Sequence, residues 1–121
     1  MIKGNNSIFN FNRVLSAFGY SCKGLRSAYQ SEAAIRQELV VIVVLSLILF
    51  FIDVTTIEMI LMLGSLVLIF IVELINSAIE AVVDRIGTEH HQLSGKAKDI
   101  GSASVMVSMF LSAFIWLSIL L

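Results

Sequence analysis

Three stretches of the chain are continuously apolar and are separated by charged residues: 39–52, 59–72 and 100–121. A helix needs about 20 residues, at roughly 1.5 Å each, to cross the hydrocarbon core of a membrane. The third stretch reaches this length alone, and the first two reach it only if each helix continues through its charged flank. The pattern therefore predicts three membrane-spanning helices, at about 32–52, 56–84 and 99–121, with a loop at 85–98.

A further helix is predicted ahead of the first span, at about 8–28. Apolar residues recur there at helical spacing on one face: Phe11, Val14, Leu15 and Phe18. Basic and small polar residues fall on the opposite face. This pattern is typical of an amphipathic helix that lies in the membrane interface, where it serves as an anchor or as part of a site.

The composition agrees with lipid as the main solvent. Of the 121 residues, 58% are hydrophobic and 14% are charged, against about 45–50% and about 25% in soluble domains. So few charged residues cannot cover a water-soluble globule of this size. The chain has no proline and seven glycines, which disfavours turn-rich sandwiches and barrels. We therefore expect an all-α membrane protein that folds as a single domain.

The placement of basic residues predicts how the chain crosses the membrane, because loops rich in Lys and Arg stay in the cytoplasm. Residues 1–38 contain five basic residues, and 85–98 contains three more. The link at 53–58 contains none. The N-terminus and the 85–98 loop are therefore expected on the cytoplasmic side, with the 53–58 link and the C-terminus on the far side.

Polar residues follow one face of the second predicted span: Glu73, Asn76, Ser77, Glu80 and Asp84. At 3.6 residues per turn these positions cover roughly a third of the helix circumference. A carboxylate deep in a membrane helix costs about 2.5–3.5 kcal/mol on insertion scales. One Asn or Ser is often polar glue between helices, but two glutamates on one stripe favour a functional site.

Several charged side chains are expected at one depth. A span that starts near residue 56 leaves the hydrocarbon about 20 residues later, close to Asn76. Glu32, Lys98 and Asp99 are expected near the same cytoplasmic boundary. Carboxylates and an amide suit Mg²⁺, a further carboxylate can act as a general base, and lysine can hold phosphate. The cluster therefore indicates phosphoryl transfer to a lipid hydroxyl.

The sequence lacks the common nucleotide and metal motifs. Gly95 and Lys96 are followed by Ala97, so no Walker A motif is present. The glycine-rich loop of protein kinases is also missing from the sequence. His90 and His91 are adjacent and would point apart on a helix, so a solvated loop that contacts nucleotide fits this segment better than a zinc site.

Four segments resemble one family, the membrane-integral diacylglycerol kinases of bacteria: 19–26 (GYSCKGLR), 32–38 (EAAIRQE), 72–85 (VELINSAIEAVVDR) and 94–99 (SGKAKD). The resemblance covers the chain from about Phe11 onward. The sister undecaprenol kinases share the core of the third segment and the Ala-Lys-Asp of the fourth. They are less similar around 32–38, which favours the diacylglycerol branch. The family has Trp where this chain has Cys22.

The resemblance implies an ATP-dependent kinase of the bacterial cytoplasmic (inner) membrane. Its expected reaction converts diacylglycerol to phosphatidic acid, for lipid recycling and phospholipid metabolism, with Mg²⁺ bound alongside ATP. The resemblance also implies a homotrimer of three-span subunits whose active sites are shared between neighbours. No nucleic-acid partner is expected.

The resemblance also implies a role for each matching residue. Glu73 is expected to be the general base towards the diacylglycerol hydroxyl, with Asn76 as a polar support. Magnesium is expected on Glu32 and Glu80. Contacts to ATP are expected from these two glutamates and from Arg13, Tyr20, Glu89, His91, Lys98 and Asp99. Lipid contacts are expected from Arg13, Ser21, Arg26, Ile35, Glu38, Glu73 and Ser102.

The residues leave three other functions open. Undecaprenol is an alternative acceptor in the same reaction. A small proton-coupled exporter also carries carboxylates inside the membrane, but it does not explain why they cluster at the cytoplasmic rim beside Lys98 and Asp99. A structural subunit of a larger complex would show no turnover.

Overall fold

The computed structural model describes residues 8, 10–87 and 91–121 of the chain. Across these residues the backbone forms four α-helices and no β-strand. In chain order the helices are α1 (Phe11–Ser31), α2 (Ala33–Leu49), α3 (Thr56–Ile86) and α4 (Gln92–Leu120). The prediction of an all-α fold is confirmed for the described part of the chain.

Helix α1 occupies the region where the sequence predicts an amphipathic helix, and it begins at Phe11 rather than at about 8. Asn10 caps it, because its side-chain oxygen accepts the backbone N–H of Arg13 at 3.3 Å. The apolar stripe stays open, with Phe11 and Phe18 exposed by 72% and 70%. An uncovered stripe of this kind suits the interface of a membrane.

A single non-helical residue, Glu32, separates α1 from α2, and its backbone is extended. Its N–H bonds the carbonyl of Ala28 at 2.9 Å. The Arg36 guanidinium reaches back across the break and donates to the carbonyls of Tyr29 and Gln30 at 2.7 and 3.1 Å. Basic side chains stabilise helix C-termini in this way, because the last carbonyls lack helical partners. We call this arrangement the α1–α2 elbow.

Helix α3 is the longest helix, with 31 residues, and begins at a capping box. The Thr55 hydroxyl accepts the N–H of Glu58 at 3.2 Å, and the Glu58 carboxylate accepts the N–H of Thr55 at 2.9 Å. This reciprocal pair satisfies backbone donors that have no partner inside the helix. The start of α3 at Thr56 therefore has a local cause in the sequence.

Helix α4 begins at Gln92, earlier than the predicted start of the third span at 99. His91 caps it, because its Nδ1 accepts the N–H of Leu93 at 3.1 Å. The predicted boundary follows the change from polar to apolar residues, but a helix continues through Lys and Ala, which are good helix formers. Lys98 therefore lies on a helix, at a fixed position relative to α3, and not in a loop.

The core lies between α3 and α4, which pack as an antiparallel pair, with α2 against α3 and α1 against α2. The hydroxyls of Ser65 and Ser112 are 2.8 Å apart across this interface. Trp116 Nε1 donates to the carbonyl of Met62 at 3.0 Å. Small residues and hydroxyls allow membrane helices to approach closely and to bond across the contact.

Helices α3 and α4 are long and apolar enough to cross a membrane, by length and composition. Their most apolar 18-residue windows are only 28% and 17% buried, so these are not the enclosed core helices of a soluble domain. Helix α2 has 17 residues, or roughly 25 Å at 1.5 Å per residue. It needs its flanking residues to reach the full width of the hydrocarbon.

Candidate active site

The polar stripe of α3 points into the bundle and becomes more exposed toward the C-terminal end of the helix. Glu73 and Asn76 are each 7% exposed, Ser77 and Glu80 are half-buried, and Asp84 is exposed. Water-soluble reagents can therefore approach from the Asp84 end. Glu73 lies deeper, where neighbouring side chains cover it.

Glu73 borders an open groove of about 670 Å³ between α2, α3 and α4, which we call the α2–α4 groove. Gln37 and Glu38 of α2 lie beside Glu73 at its polar end. The rest of the lining is mainly apolar and includes Val41, Leu45, Leu66, Ile69, Leu117 and Leu120. A groove that is polar at one end and apolar along its length suits a lipid-like molecule.

A second groove, of about 540 Å³, lies between α1 and α3. Glu32 borders it together with Ser77 of α3 and Ser21 of α1. Glu32 of the α1–α2 elbow and Glu80 of α3 lie within electrostatic range of Glu73.

The Asn76 carboxamide lies at the contact of α3 with α4. Its Nδ2 donates to Glu80 Oε1 at 3.4 Å. Its Oδ1 is buried against Gly101 and has no hydrogen-bond partner within the described residues. A buried polar atom left unpaired costs about 1–3 kcal/mol, which is a cost that a packing role alone does not explain.

Lys98 of α4 pairs with Asp84 of α3 at the exposed end of the stripe, with 2.7 Å between Nζ and Oδ1. The hydrogen bond to Asp84, followed by its charge, raises the pKa of Lys98 above 10.5. Lys98 therefore keeps its positive charge at physiological pH. The sequence prediction assigns no role to Asp84, because the pairing can be recognised only once α4 is known to begin before Lys98.

Other predicted site residues lie on exposed positions: Arg13, Tyr20, Ser21 and Arg26 on α1, His91 just before α4, and Asp99 and Ser102 on α4. Lys23 lies over the ring of Tyr20, 5.9 Å from its centroid. In the part of the chain that the structure describes, no hydrogen bond or ion pair joins Arg13 or Arg26 to α3 or α4. Glu89 lies outside the described residues.

Ile35 differs from the expectation that it contacts lipid. Its side chain is 1% exposed, which makes it one of the two most deeply buried large side chains in the described residues. It packs in the core on the first turn of α2, close to Glu32, and so holds α2 against the rest of the bundle. The family resemblance identifies the matching residue at position 35, but it does not show which face of α2 packs against the other helices.

Two residues that the sequence prediction missed hold predicted site residues in place. Arg36 stabilises the α1–α2 elbow at Glu32, and Gly101 leaves room for Asn76. The sequence has no glycine or proline at residue 32 that would mark a helix break. The role of Arg36 could therefore be suspected only from its position as a basic residue shortly after Glu32. The signal for Gly101 is a glycine inside an otherwise helical pattern, which often marks close packing.

The carboxylates of Glu32 and Glu80 suit the loose coordination of Mg²⁺ better than a resident multi-ligand metal. The described residues contain no group of three or more His, Cys, Asp or Glu side chains that could hold a metal ion. Mg²⁺ usually keeps several waters and uses one or two carboxylates together with substrate phosphates. Glu32 and Glu80 are the candidates for those carboxylates, whereas Asn76 turns its amide nitrogen to Glu80 and its oxygen to Gly101.

The fold and the site first define a class, the helical membrane proteins with a buried carboxylate beside a mainly apolar groove. The chain belongs to the prokaryotic diacylglycerol kinase family, whose model matches residues 19–120. The family resemblance and the enzyme class predicted from the sequence are therefore confirmed.

Three relatives show how far the similarity extends. The chain is 49% identical to the diacylglycerol kinase of Escherichia coli strain K12 over 111 residues, which cover 92% of this chain and 91% of the relative. It is 47% identical to the diacylglycerol kinase of Haemophilus influenzae over 107 residues, which cover 88% and 91%. It is 47% identical to that of Pseudomonas aeruginosa over 109 residues, which cover 90% and 89%.

Proposed function

We propose that this chain is an ATP-dependent kinase that phosphorylates the free hydroxyl of diacylglycerol, giving phosphatidic acid and ADP. The observation that carries this function is Glu73, a buried carboxylate at the polar end of the apolar α2–α4 groove. A carboxylate inside a membrane protein is expensive and usually functional. The family match and the relatives named diacylglycerol kinase support the same reaction.

The acceptor is a lipid whose acyl chains lie along the apolar lining of the α2–α4 groove. Its hydroxyl lies at the polar end, beside Glu73 and Glu38. Ser102 and the α1 residues Arg13, Ser21 and Arg26 make further proposed contacts to the lipid. Ile35 has a different role, because its burial leaves it no surface for the substrate.

Glu73 acts as the general base. It takes the proton of the diacylglycerol hydroxyl while the hydroxyl oxygen bonds to the γ-phosphorus of ATP. The bond from that phosphorus to the β–γ bridging oxygen breaks, and ADP leaves with the electron pair. A positioned general base contributes about 10²–10⁴-fold to such a rate.

Glu32 and Glu80 hold the Mg²⁺ that accompanies ATP, with Asn76 as a polar support. The ion supplies neutralisation of phosphate charge, which is the main requirement of phosphoryl transfer. Lys98 adds a compact positive charge next to Asp99, and Asp84 holds it at the rim of the bundle. The further proposed nucleotide contacts are Arg13, Tyr20, Glu89 and His91.

The chain crosses the bacterial cytoplasmic membrane three times in this proposal, with α2 as the first span. The N-terminus and the link between α3 and α4 lie in the cytoplasm, and the C-terminus lies on the far side. The basic residues of α1 and those near the α3–α4 link support this orientation. The Asp84–Lys98 end of the site then faces the compartment that contains ATP.

The active form is a homotrimer with sites shared between neighbouring subunits. The outer face of α4 is apolar and uncovered, with Phe110 and Phe114 exposed by 65% and 69%. One small bundle leaves Glu80 and Glu32 half-exposed, and neighbouring subunits would shield these carboxylates from lipid. Crosslinking that finds only monomers in active preparations would contradict this assembly.

ATP consumption by the purified protein in mixed micelles tests the proposed reaction. Turnover is expected to require both diacylglycerol and Mg²⁺, and to need no membrane gradient. Triacylglycerol is the control, because a third acyl chain esterifies the hydroxyl that diacylglycerol leaves free. Faster turnover with undecaprenol than with diacylglycerol would change the acceptor, and no ATP turnover with either alcohol would overturn the proposal.

A further inference from the structure

The Asn76 side chain of α3 lies directly against Gly101 of α4. Gly101 is buried, and a Cβ built on it would overlap Asn76 Oδ1 and lie 3.3 Å from Asn76 Cγ. Its backbone is helical and its φ is not positive. The position therefore needs glycine for space and not for an unusual backbone conformation.

The contact with Gly101 restricts the orientation of the Asn76 amide. The oxygen end lies against the α4 backbone, where it is buried without a donor among the described residues. The nitrogen end points along α3 to Glu80, at 3.4 Å from Oε1. Because a planar amide turns as one unit, moving the oxygen off Gly101 also moves the donor away from Glu80.

We propose that Gly101 is a positioning residue of the phosphoryl-transfer site, which acts through the Asn76 amide to orient the Glu80 carboxylate. This inference rests on the proposed role of Glu80 as a magnesium ligand. Added volume at residue 101 rotates or displaces Asn76, and Glu80 then loses its orienting donor. Displacement of a catalytic group by about 1 Å can reduce a rate by 10²-fold.

Gly64 provides a matched control on α3. It also lies within an apolar membrane helix, but a Cβ built there has no heavy atom within 4 Å. Alanine is a better helix former than glycine, so both Gly→Ala substitutions favour the helix locally. They differ in whether the new methyl group meets a side chain of the site.

Initial rates of diacylglycerol phosphorylation, measured against Mg²⁺ and MgATP for the full-length protein in mixed micelles, test the inference. Gly101→Ala is expected to lower kcat by about 10- to 100-fold and to raise the Mg²⁺ concentration for half-maximal rate. Gly64→Ala is expected to keep both values within about twofold of wild type. A Gly101→Ala protein that matches Gly64→Ala in both values would overturn the inference.

A double-variant cycle shows whether the effect passes through Asn76. In an Asn76→Ala background the added methyl group has room, so Gly101→Ala should change the residual kcat by less than about twofold. The same fold-loss in both backgrounds would overturn the inference. If Gly101→Ala alone fails to fold, folding of the double variant supports the overlap with Asn76, and its failure to fold contradicts it.

Binding of Mn²⁺ together with a non-hydrolysable ATP analogue, followed by electron paramagnetic resonance, separates this inference from the proposed function. Gly101→Ala is expected to weaken Mn²⁺ binding, and unchanged binding would count against the inference. An inactive wild type refutes the proposed function itself. An active wild type whose Glu80→Gln variant keeps the normal Mg²⁺ requirement refutes the role of Glu80, and the link from Gly101 to the metal with it.

Discussion

The two halves of the α3–α4 interface differ in whether their buried polar groups form hydrogen bonds. In the half near the start of α3, the Ser65 and Ser112 hydroxyls bond each other and Trp116 donates to the carbonyl of Met62. In the half near the end of α3, Glu73 is buried, and the buried Asn76 Oδ1 has no hydrogen-bond partner among the residues that the structure describes. One pair of helices therefore carries both satisfied and unsatisfied polar groups.

The difference separates polar residues that join helices from polar residues that form a site. A hydrogen bond between membrane helices contributes about 0.6 kcal/mol on average, whereas a carboxylate in the helix centre costs about 2.5–3.5 kcal/mol. In the first half, the polar atoms are uncharged and form hydrogen bonds to each other, so burying them costs little free energy. The second half buries Glu73 and Asn76, the two residues that the proposed function assigns to the phosphoryl-transfer site.

The largest expected effect is on Glu73. Glu73→Gln keeps the shape and volume of the side chain but removes the proton acceptor, so kcat should fall by about 10²–10⁴-fold. The rate of diacylglycerol phosphorylation, measured together with crosslinking of the variant, checks this expectation. Assembly should be retained, because glutamine is neutral and fits the same buried position.

Glu58→Gln is the control for this substitution, since it makes the same change on the same helix. Glu58 belongs to the capping box, and glutamine preserves that interaction. Its rate should stay within about twofold of wild type. Full turnover by Glu73→Gln would show that Glu73 is not the base and that this half of the interface is structural as well.

The next largest effect is expected at the α1–α2 elbow, which contains Glu32. Arg36→Gln loses the bonds from the guanidinium to the Tyr29 and Gln30 carbonyls, so the free energy of unfolding should fall by roughly 1–2 kcal/mol. The Mg²⁺ concentration for half-maximal rate should also rise, because Glu32 loses its fixed position. Denaturant unfolding in detergent and a Mg²⁺ titration of initial rates measure the two changes.

Arg36→Lys is the comparison variant at the elbow. It keeps a cation beside the C-terminal end of α1 and should therefore recover part of both losses. An unchanged Mg²⁺ requirement in Arg36→Gln would mean that the elbow does not position Glu32.

A smaller effect is expected in the half where the hydroxyls are paired. Replacing Ser65 and Ser112 together by alanine removes both partners, so no unpaired group remains and the free energy of unfolding should fall by only about 0.6 kcal/mol. Both kcat and the Mg²⁺ requirement should stay at wild-type values. A loss of kcat comparable with that of Gly101→Ala would erase the distinction between the two halves.

The smallest effect is expected at the exposed rim. Asp84→Asn breaks the pair with Lys98, but exposed ion pairs contribute little and are screened by salt. Thermal unfolding of variant and wild type should differ slightly at low salt and coincide at high salt. A large salt-independent loss would show that Asp84 is part of the structural core.

The rim pair should also be insensitive to ordinary changes of pH. Because Asp84 raises the pKa of Lys98 above its unfolded value of 10.5, the contribution of the Lys98 charge is complete below that value and is lost only as the pH rises past the folded pKa. The difference between Asp84→Asn and wild type should therefore be the same at about pH 6 and about pH 9. A difference that disappears within this range would point to another titrating group.

Much of the architecture could be read from the chain. Hydrophobic runs predicted the helices, and the spacing of Glu73, Asn76 and Glu80 placed them on one face of α3, as the structure confirms. The start of α3 could also be predicted from the sequence, because a capping box involves residues only three positions apart. These features depend on neighbours three or four residues apart, and such neighbours are visible in the sequence.

Other features depend on how the helices meet, which the local pattern of residues does not reveal. No glycine or proline marks the break at Glu32. Arg36 stabilises the break because its guanidinium reaches a carbonyl near the end of α1 from the first turn of α2. The partner of Lys98 is on another helix, and the early start of α4 brings the two together. Ile35 was expected at the lipid and is buried instead, because α2 turns that face toward the core.

Local periodicity specified four helices, a polar stripe on the third, and a solvent that is mostly lipid, because each of these follows from the order of apolar and charged residues. Packing between helices decided which polar atoms are paired. Among the described residues, Asn76 Oδ1 has no hydrogen-bond partner and the Ser65 hydroxyl has one, because Gly101 and Ser112 face them from α4. Which atoms are paired depends on how closely the two helices approach and on their register. No single stretch of the sequence determines either.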